Sequence, residues 1–201
     1  DAAVHSRQEG VEQIRDALVH GEFVLYYQPK VNMASGQVTG AEALIRWQHP
    51  QQGLLPPAAF LPLIEGHPVN NDIGEWVIAT ALTQISAWSA QGMYLPISVN
   101  ISAQQLQHPD FVGRLKALLH AHPGVPRNSL DLELLESSAI CRRSCSFLRG
   151  VMSRATLDAP MIFPLTSRIG EMVTDTCTGS PFLRIRIVSK CSTFSPWSRR
   201  S

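Results

Sequence analysis

Three segments of the chain, Thr39–Trp47, Leu95–Ser102 and Leu130–Leu135, alternate residue by residue between two chemistries. Side chains of a strand point to opposite faces in turn, so each segment reads as a strand with two unlike faces. In the first, Ala41, Ala43 and Ile45 share one face, and Glu42, Leu44 and Arg46 share the other. In the second, Leu95, Ile97, Val99 and Ile101 oppose Ser98, Asn100 and Ser102. In the third, Leu132 and Leu134 oppose Asp131 and Glu133. The apolar sets suit packing against helices. The polar sets suit a common interior, where a carboxylate or guanidinium needs a partner because burying unpaired charge is costly. A structural ion pair would meet that need for Glu42 and Arg46. An antiparallel sheet with one solvated face would give the same alternation.

The surrounding sequence supplies the other elements. Val11, Ile14, Ala17 and Leu18 line one face of a helix over Val11–His20, which Gly21 stops. Phe23–Pro29 is aromatic, β-branched and closed by proline, so it reads as a strand. The turn residues Ala34-Ser35-Gly36-Gln37 then lead into the strand Val38–Trp47, giving a hairpin-like start. Pro56-Pro57 opens a short helix through Ile64. A long amphipathic helix is predicted from about Asp72 to Gln91, burying Ile73, Trp76, Val77, Thr80, Ala81, Gln84, Ile85 and Trp88. A second is predicted over Phe111–His122, with Asp110 as its N-cap. From the second strand on, strands alternate with helices, which argues for an α/β class with a parallel sheet.

Glu42, Asn100 and Glu133 bring three oxygen donors from three strands, and hard divalent cations take such ligands. No segment approaches the roughly 18 apolar residues that would span a bilayer, and the N-terminus has no signal-peptide pattern. The chain does not open with Met, which suggests a piece cut from a longer parent.

Beyond Ser138 the composition changes. Residues 1–136 carry 7 Lys and Arg against 13 Asp and Glu, a net of −6, whereas residues 137–201 carry 10 against 3, a net of +7. All four cysteines, Cys141, Cys145, Cys177 and Cys191, lie in this second part, with no zinc-ligand spacing. Twelve serines and nine arginines fill its 65 residues without a sustained helical or strand period, so no element is placed there. The arginines are scattered rather than striped on one face, a pattern closer to unstructured chain than to a nucleic-acid surface.

Five segments carry a resemblance. Tyr26-Tyr27-Gln28-Pro29-Lys30, Gly40-Ala41-Glu42-Ala43-Leu44-Ile45-Arg46-Trp47, Ile73-Gly74-Glu75-Trp76-Val77, Ser98-Val99-Asn100-Ile101-Ser102 and Leu132-Glu133-Leu134-Leu135-Glu136-Ser137 follow in that order. Together they resemble the EAL domain of cyclic-di-GMP phosphodiesterases over about residues 11–138. The resemblance implies a modified TIM barrel whose first strand runs antiparallel, and hydrolysis of cyclic di-GMP to pGpG with Mg²⁺ or Mn²⁺. It implies Glu42, Asn100 and Glu133 as metal ligands, with Glu42 central to catalysis. It implies substrate contacts from Gln28, Leu44 and Arg46, the arginine to a phosphate through its bidentate fork. A cytoplasmic location follows, with an upstream sensory or GGDEF-type domain in a longer parent and a homodimer as candidate associations. Neither nucleic acid nor membrane is expected as a partner.

The family pattern next calls for an Asp-Asp-Phe-Gly-Thr-Gly-Tyr segment, then a lysine, a glutamate and a late glutamine, and none of these motifs follows Glu133. Leu157-Asp158-Ala159-Pro160 is a chance echo, and nothing around Lys190 resembles the lysine motif. The expected organisation is a linker helix over 1–21, the N-terminal half of an EAL-like barrel over 22–138, and a Ser, Arg and Cys-rich tail over 139–201. That tail reads as a frameshifted translation or as a divergent replacement of the second half. Weak or absent hydrolysis is expected. A degenerate EAL module that binds cyclic di-GMP or a protein partner is the alternative, and a non-functional fragment of a disrupted gene is the third reading.

Overall fold

A computed structural model describes residues 2–136, 171–177 and 183–190, the last two segments by their backbone alone. The elements in chain order are α1 (Ala2–His20), β1 (Phe23–Val31), β2 (Val38–His49), β3 (Gly53–Leu55) and α2 (Pro57–Phe60). A 3-10 turn (Leu61–Ile64), α3 (Val69–Ala90), β4 (Ile97–Ile101), α4 (Ala103–Leu106), α5 (Phe111–Ala121) and β5 (Leu130–Glu136) follow. Two strands, β6 (Glu171–Cys177) and β7 (Leu183–Lys190), come from the tail.

The sheet runs β1-β2-β4-β5-β7-β6, with β3 on β2. Strands β2, β4, β5 and β7 are parallel, while β1 and β6 add antiparallel at the two edges. Among the described residues β1 and β6 do not pair, so the sheet stays open. The hairpin start and the parallel run are as the sequence predicts. The tail departs from expectation, since Ile185–Val188, passed over as an isolated apolar piece, lies inside β7. Leu183, Ile185 and Ile187 alternate with Arg184 and Arg186, a strand alternation over five residues that the Ser- and Arg-rich composition around it obscured. Asp158 and most of the tail fall outside the described residues.

The apolar faces meet in one core. Ala41, Ala43, Ile45 and Trp47 of β2 are buried, as are Ile97, Val99 and Ile101 of β4 and Leu130, Leu132 and Leu134 of β5. Phe23 sits among Trp47, Phe60 and Trp76, with ring centroids 5.6, 5.5 and 5.9 Å away. Such tilted pairs add to burial through their quadrupoles. Helix α1 belongs to this core, since Val11, Ile14 and Ala17 are all buried. It begins nine residues before the first apolar repeat, at Ala2, and ends at Gly21, whose φ of +69° suits a residue without Cβ.

Helix α3 buries a broader face than its stripe predicts. Val69, Ile78 and Leu82 are buried beside Ile73, Val77, Ala81 and Ile85, while Thr80 and Gln84 stay half-exposed. The reason is that α3 lies under β4 and also touches α1 and α5, so a single stripe cannot serve all three. Asp110 does not cap α5 with its side chain. Its carboxylate instead accepts from Arg114 Nε at 3.3 Å, an ionic partner one turn away. Helix α4, absent from the sequence prediction, is one turn long and has Ser102 as its cap, Oγ accepting from Gln105 N at 3.0 Å.

Candidate functional site

Strand register assembles the site before any side chain is considered. Gln28 stands opposite Glu42, Glu42 beside Ser98, and Ser98 beside Asp131, so these four form one row across β1, β2, β4 and β5. The next row carries Tyr26 opposite Leu44, and Asn100 beside Glu133. Alternation along each strand puts both rows on the face turned away from the helical core. The polar residues predicted to share an interior therefore do share one face of one sheet.

Contacts knit that face together. Asn100 donates through Nδ2 to Glu42 Oε1 at 2.7 Å. The ammonium of Lys30 on β1 donates to Ser98 Oγ at 2.7 Å and forms an ion pair with Glu133 Oε1. Asp131 and Glu133 are 5 % and 6 % exposed, so both carboxylates are held well away from bulk water. Carboxylates so placed demand compensation by charge or hydrogen bonds. The compensating group for Glu42 is the Asn100 amide rather than Arg46. Arg46 donates to the carbonyl of Ile45 at 2.8 Å, and its guanidinium lies 5.8 Å from the centre of the Tyr26 ring, within cation–π range. The structural pairing of Glu42 with Arg46 that the shared face allows is thus not made.

Gln28 is exposed on β1, facing Glu42 across the hairpin. Leu44 and Asn100 line a cavity of about 1180 Å³ that runs from the middle of β2 past the C-terminal end of β4, with Asn70, Ser102 and Gln104 among its other walls. An amide network shapes that rim. Asn70 Nδ2 donates to Ser102 Oγ and to Gln104 Oε1, Gly66 N–H donates to Gln104 Oε1, and Gln104 Nε2 donates to the carbonyl of His67. Sequence reasoning assigned nothing to Asn70, Gln104 or Lys30. For Lys30 a signal existed, since it lies two residues after Gln28 and so on the same face of β1.

Glu42, Asn100 and Glu133, with Asp131, offer hard oxygen donors of the kind that suit Mg²⁺ or Mn²⁺. Among the described residues no three His, Cys, Asp or Glu side chains converge on one point. The donors fit the chemistry of such an ion and would supply part of its shell.

An antiparallel first strand, parallel strands after it, helices on the outer face and polar side chains on the inner face define part of a modified β/α barrel. Asn100 lies beside the end of β4, while Glu42 and Glu133 lie mid-strand rather than at the strand ends where such barrels place their sites. Comparison with known proteins names the family. The model of the EAL domain matches residues 11–152, well over half of the chain, and the chain belongs to that family. It is 35% identical over 133 residues to the cyclic di-GMP phosphodiesterase PA2567 of Pseudomonas aeruginosa, a match over 66% of this chain and 22% of that protein. It is 41% identical over 131 residues to the bifunctional diguanylate cyclase/cyclic di-GMP phosphodiesterase MucR of the same organism, over 65% of this chain and 19% of MucR. The chain thus spans about a fifth of the length of these relatives. Among solved structures it resembles the MucR phosphodiesterase in complex with c-di-GMP, with TM-score 0.65 and 37% identity, over 72% of this chain and 60% of that one. It also resembles the EAL enzyme Bd1971 bound to cAMP and cyclic di-GMP, with TM-score 0.66 and 31% identity, over 76% and 43%. No helix among the described residues is long and apolar enough to cross a membrane.

Proposed function

We propose that this chain carries the cyclic-di-GMP-binding face of an EAL-type phosphodiesterase and hydrolyses the dinucleotide to pGpG weakly or not at all. The observation that carries the reading is the Glu42–Asn100 hydrogen bond on a face shared with Glu133, Gln28 and Leu44. Glu42, Asn100 and Glu133 would hold Mg²⁺ or Mn²⁺. Such an ion, when bound, would polarise the phosphodiester and activate a water. Gln28 and Leu44 would contact the dinucleotide, one by hydrogen bonding and one by apolar contact. Arg46, tethered near Tyr26, would reach a phosphate oxygen by leaving the Ile45 carbonyl. A cytoplasmic location, a sensory or GGDEF-type domain upstream and a homodimer belong to the same proposal.

The sequence after Glu133 lacks the family's further aspartate, lysine and glutamate motifs, and this supports low turnover. A second reading, binding without hydrolysis, draws on the Lys30–Glu133 ion pair, which already commits one candidate ligand to a cation of the chain itself.

The test is incubation of the chain with cyclic di-GMP and Mn²⁺, following pGpG by chromatography, alongside Glu42→Ala. Slow product formation lost in Glu42→Ala supports weak hydrolysis. Calorimetric binding of the dinucleotide without product supports the second reading. Neither binding nor product would sink both.

A further inference from the structure

Lys30 lies on the hairpin strand at the open edge, yet its ammonium reaches side chains two and three strands further into the sheet, on β4 and β5. It spans 68 residues of sequence to Ser98 and 103 to Glu133. In the register Lys30 stands opposite Gly40 of β2. The Lys30 side chain is 30% exposed and that of Glu133 8%, so the pair is shielded on the carboxylate side. A lysine fixes its long, mobile stem in this way at a cost in rotamer freedom. The charge it meets must repay that cost.

We infer that Lys30 is the built-in counter-ion of Glu133 and competes with a divalent cation for the carboxylate face. The inference rests on the reading of Glu133 as a metal ligand. An ammonium is a compact point charge with three donors. Seated between Ser98 and Glu133, it meets the same electrostatic demand that a metal ion would meet there. Two cations cannot both stand against one shielded carboxylate without strong mutual repulsion. Metal occupancy therefore requires Lys30 to withdraw, and the stem's exposure gives it somewhere to go. Lys30 sets a threshold: metal enters once its activity is high enough to displace the ammonium.

The test is Mn²⁺ titration of the full chain by electron paramagnetic resonance, without nucleotide, comparing the parent with Lys30→Met and Lys30→Arg. The expected result is Mn²⁺ binding tightened by about tenfold or more in Lys30→Met, since a competing unit charge is gone, and little changed in Lys30→Arg. Equal or weaker binding in Lys30→Met overturns the competition while leaving the metal reading intact. Absence of Mn²⁺ binding in both parent and Lys30→Met overturns both. A second measurement needs no variant. Acetylation of Lys30 in the parent, followed by mass spectrometry, is expected to accelerate severalfold when Mn²⁺ is added, and an unchanged rate overturns the inference even if Lys30→Met fails to fold.

Discussion

Asn100 on β4 donates to Glu42 on β2 across 2.7 Å, joining two strands separated by 58 residues of sequence. The bond fixes the orientation of both side chains on the polar face. Replacing Asn100 by Asp turns a donor into a second carboxylate. Like charges at that distance disfavour joint ionisation and raise a carboxyl pKa. The folded Asn100→Asp variant would then bind more protons than its unfolded form near the carboxylate range, so its stability falls as pH rises through that range. Loss of the hydrogen bond with an acceptor left unsatisfied costs about 1–3 kcal/mol. Thermal melts at several pH values should show a deficit near neutrality that shrinks on acidification, and Mn²⁺ should restore part of it. A neutral-pH melt equal to the parent's would show that the bond does not hold these strands.

Gly74 of α3 lies against the buried Gln105 side chain, and a Cβ built at Gly74 would overlap the Gln105 amide. Two effects oppose each other in Gly74→Ala. Helix propensity favours alanine by about 1 kcal/mol. Forcing a methyl into packed space costs about 1–3 kcal/mol. Because Gln105 is only 3% exposed and cannot swing into solvent freely, the steric effect should win. Urea denaturation is expected to show net loss of stability in Gly74→Ala and recovery in the double variant with Gln105→Ala. Such recovery is the coupling expected of residues in contact. Additive effects would contradict the contact.

Much of this arrangement is visible in the sequence because a period of two is a strong signal. Alternation placed Glu42, Ser98 with Asn100, and Asp131 with Glu133 each on the polar face of its own strand, and the register brings those faces together. What alternation cannot give is the partner of each group. Glu42 and Arg46 share a face, yet their side chains go to Asn100 and Tyr26 respectively, because those contacts come from neighbouring strands. Lys30 lay within a recognised segment, and its bond to Glu133 depends on a register that only the folded hairpin defines. The width of the buried face of α3 was missed for the same reason, since Ile78 and Leu82 answer to tertiary neighbours rather than to their own helix. Of the tail strands, β7 alternates over Leu183–Ile187 only, and β6 has no clean period.

Tyr27 sits on the core side of β1, its ring meeting Trp88 of α3 edge-on at 5.2 Å. Burial pushes its phenol up to about 12 from an ordinary value near 10. The neutral form is thereby favoured in the fold. The stability associated with Tyr27 is present in full below the unfolded value and is lost as pH rises from about 10 toward 12. Spectrophotometric titration should show one of the three tyrosines ionising late. That late step should vanish in Tyr27→Phe, and the variant should lose less stability at alkaline pH than the parent. A late step persisting in Tyr27→Phe would assign it elsewhere.

Ser102 stands at the end of β4, two residues beyond Asn100, and holds two elements at once. Its Oγ accepts from Gln105 N–H at 3.0 Å, capping α4, and from Asn70 Nδ2 at 3.1 Å, drawing in the first turn of α3. Ser102→Ala removes the cap, a loss of about 0.5–2 kcal/mol. Asn70 keeps Gln104 Oε1 as a second acceptor at 3.3 Å, so the additional cost should be small. The damage should therefore be local. Hydrogen exchange at the Gln105 amide is expected to accelerate well beyond the global change, because that donor has lost its acceptor. Ser102→Thr keeps a hydroxyl at the cap and should restore most of the protection. Uniform acceleration across the sheet, with no excess at Gln105, would mean that Ser102 supports the fold generally rather than fixing this rim of the cavity.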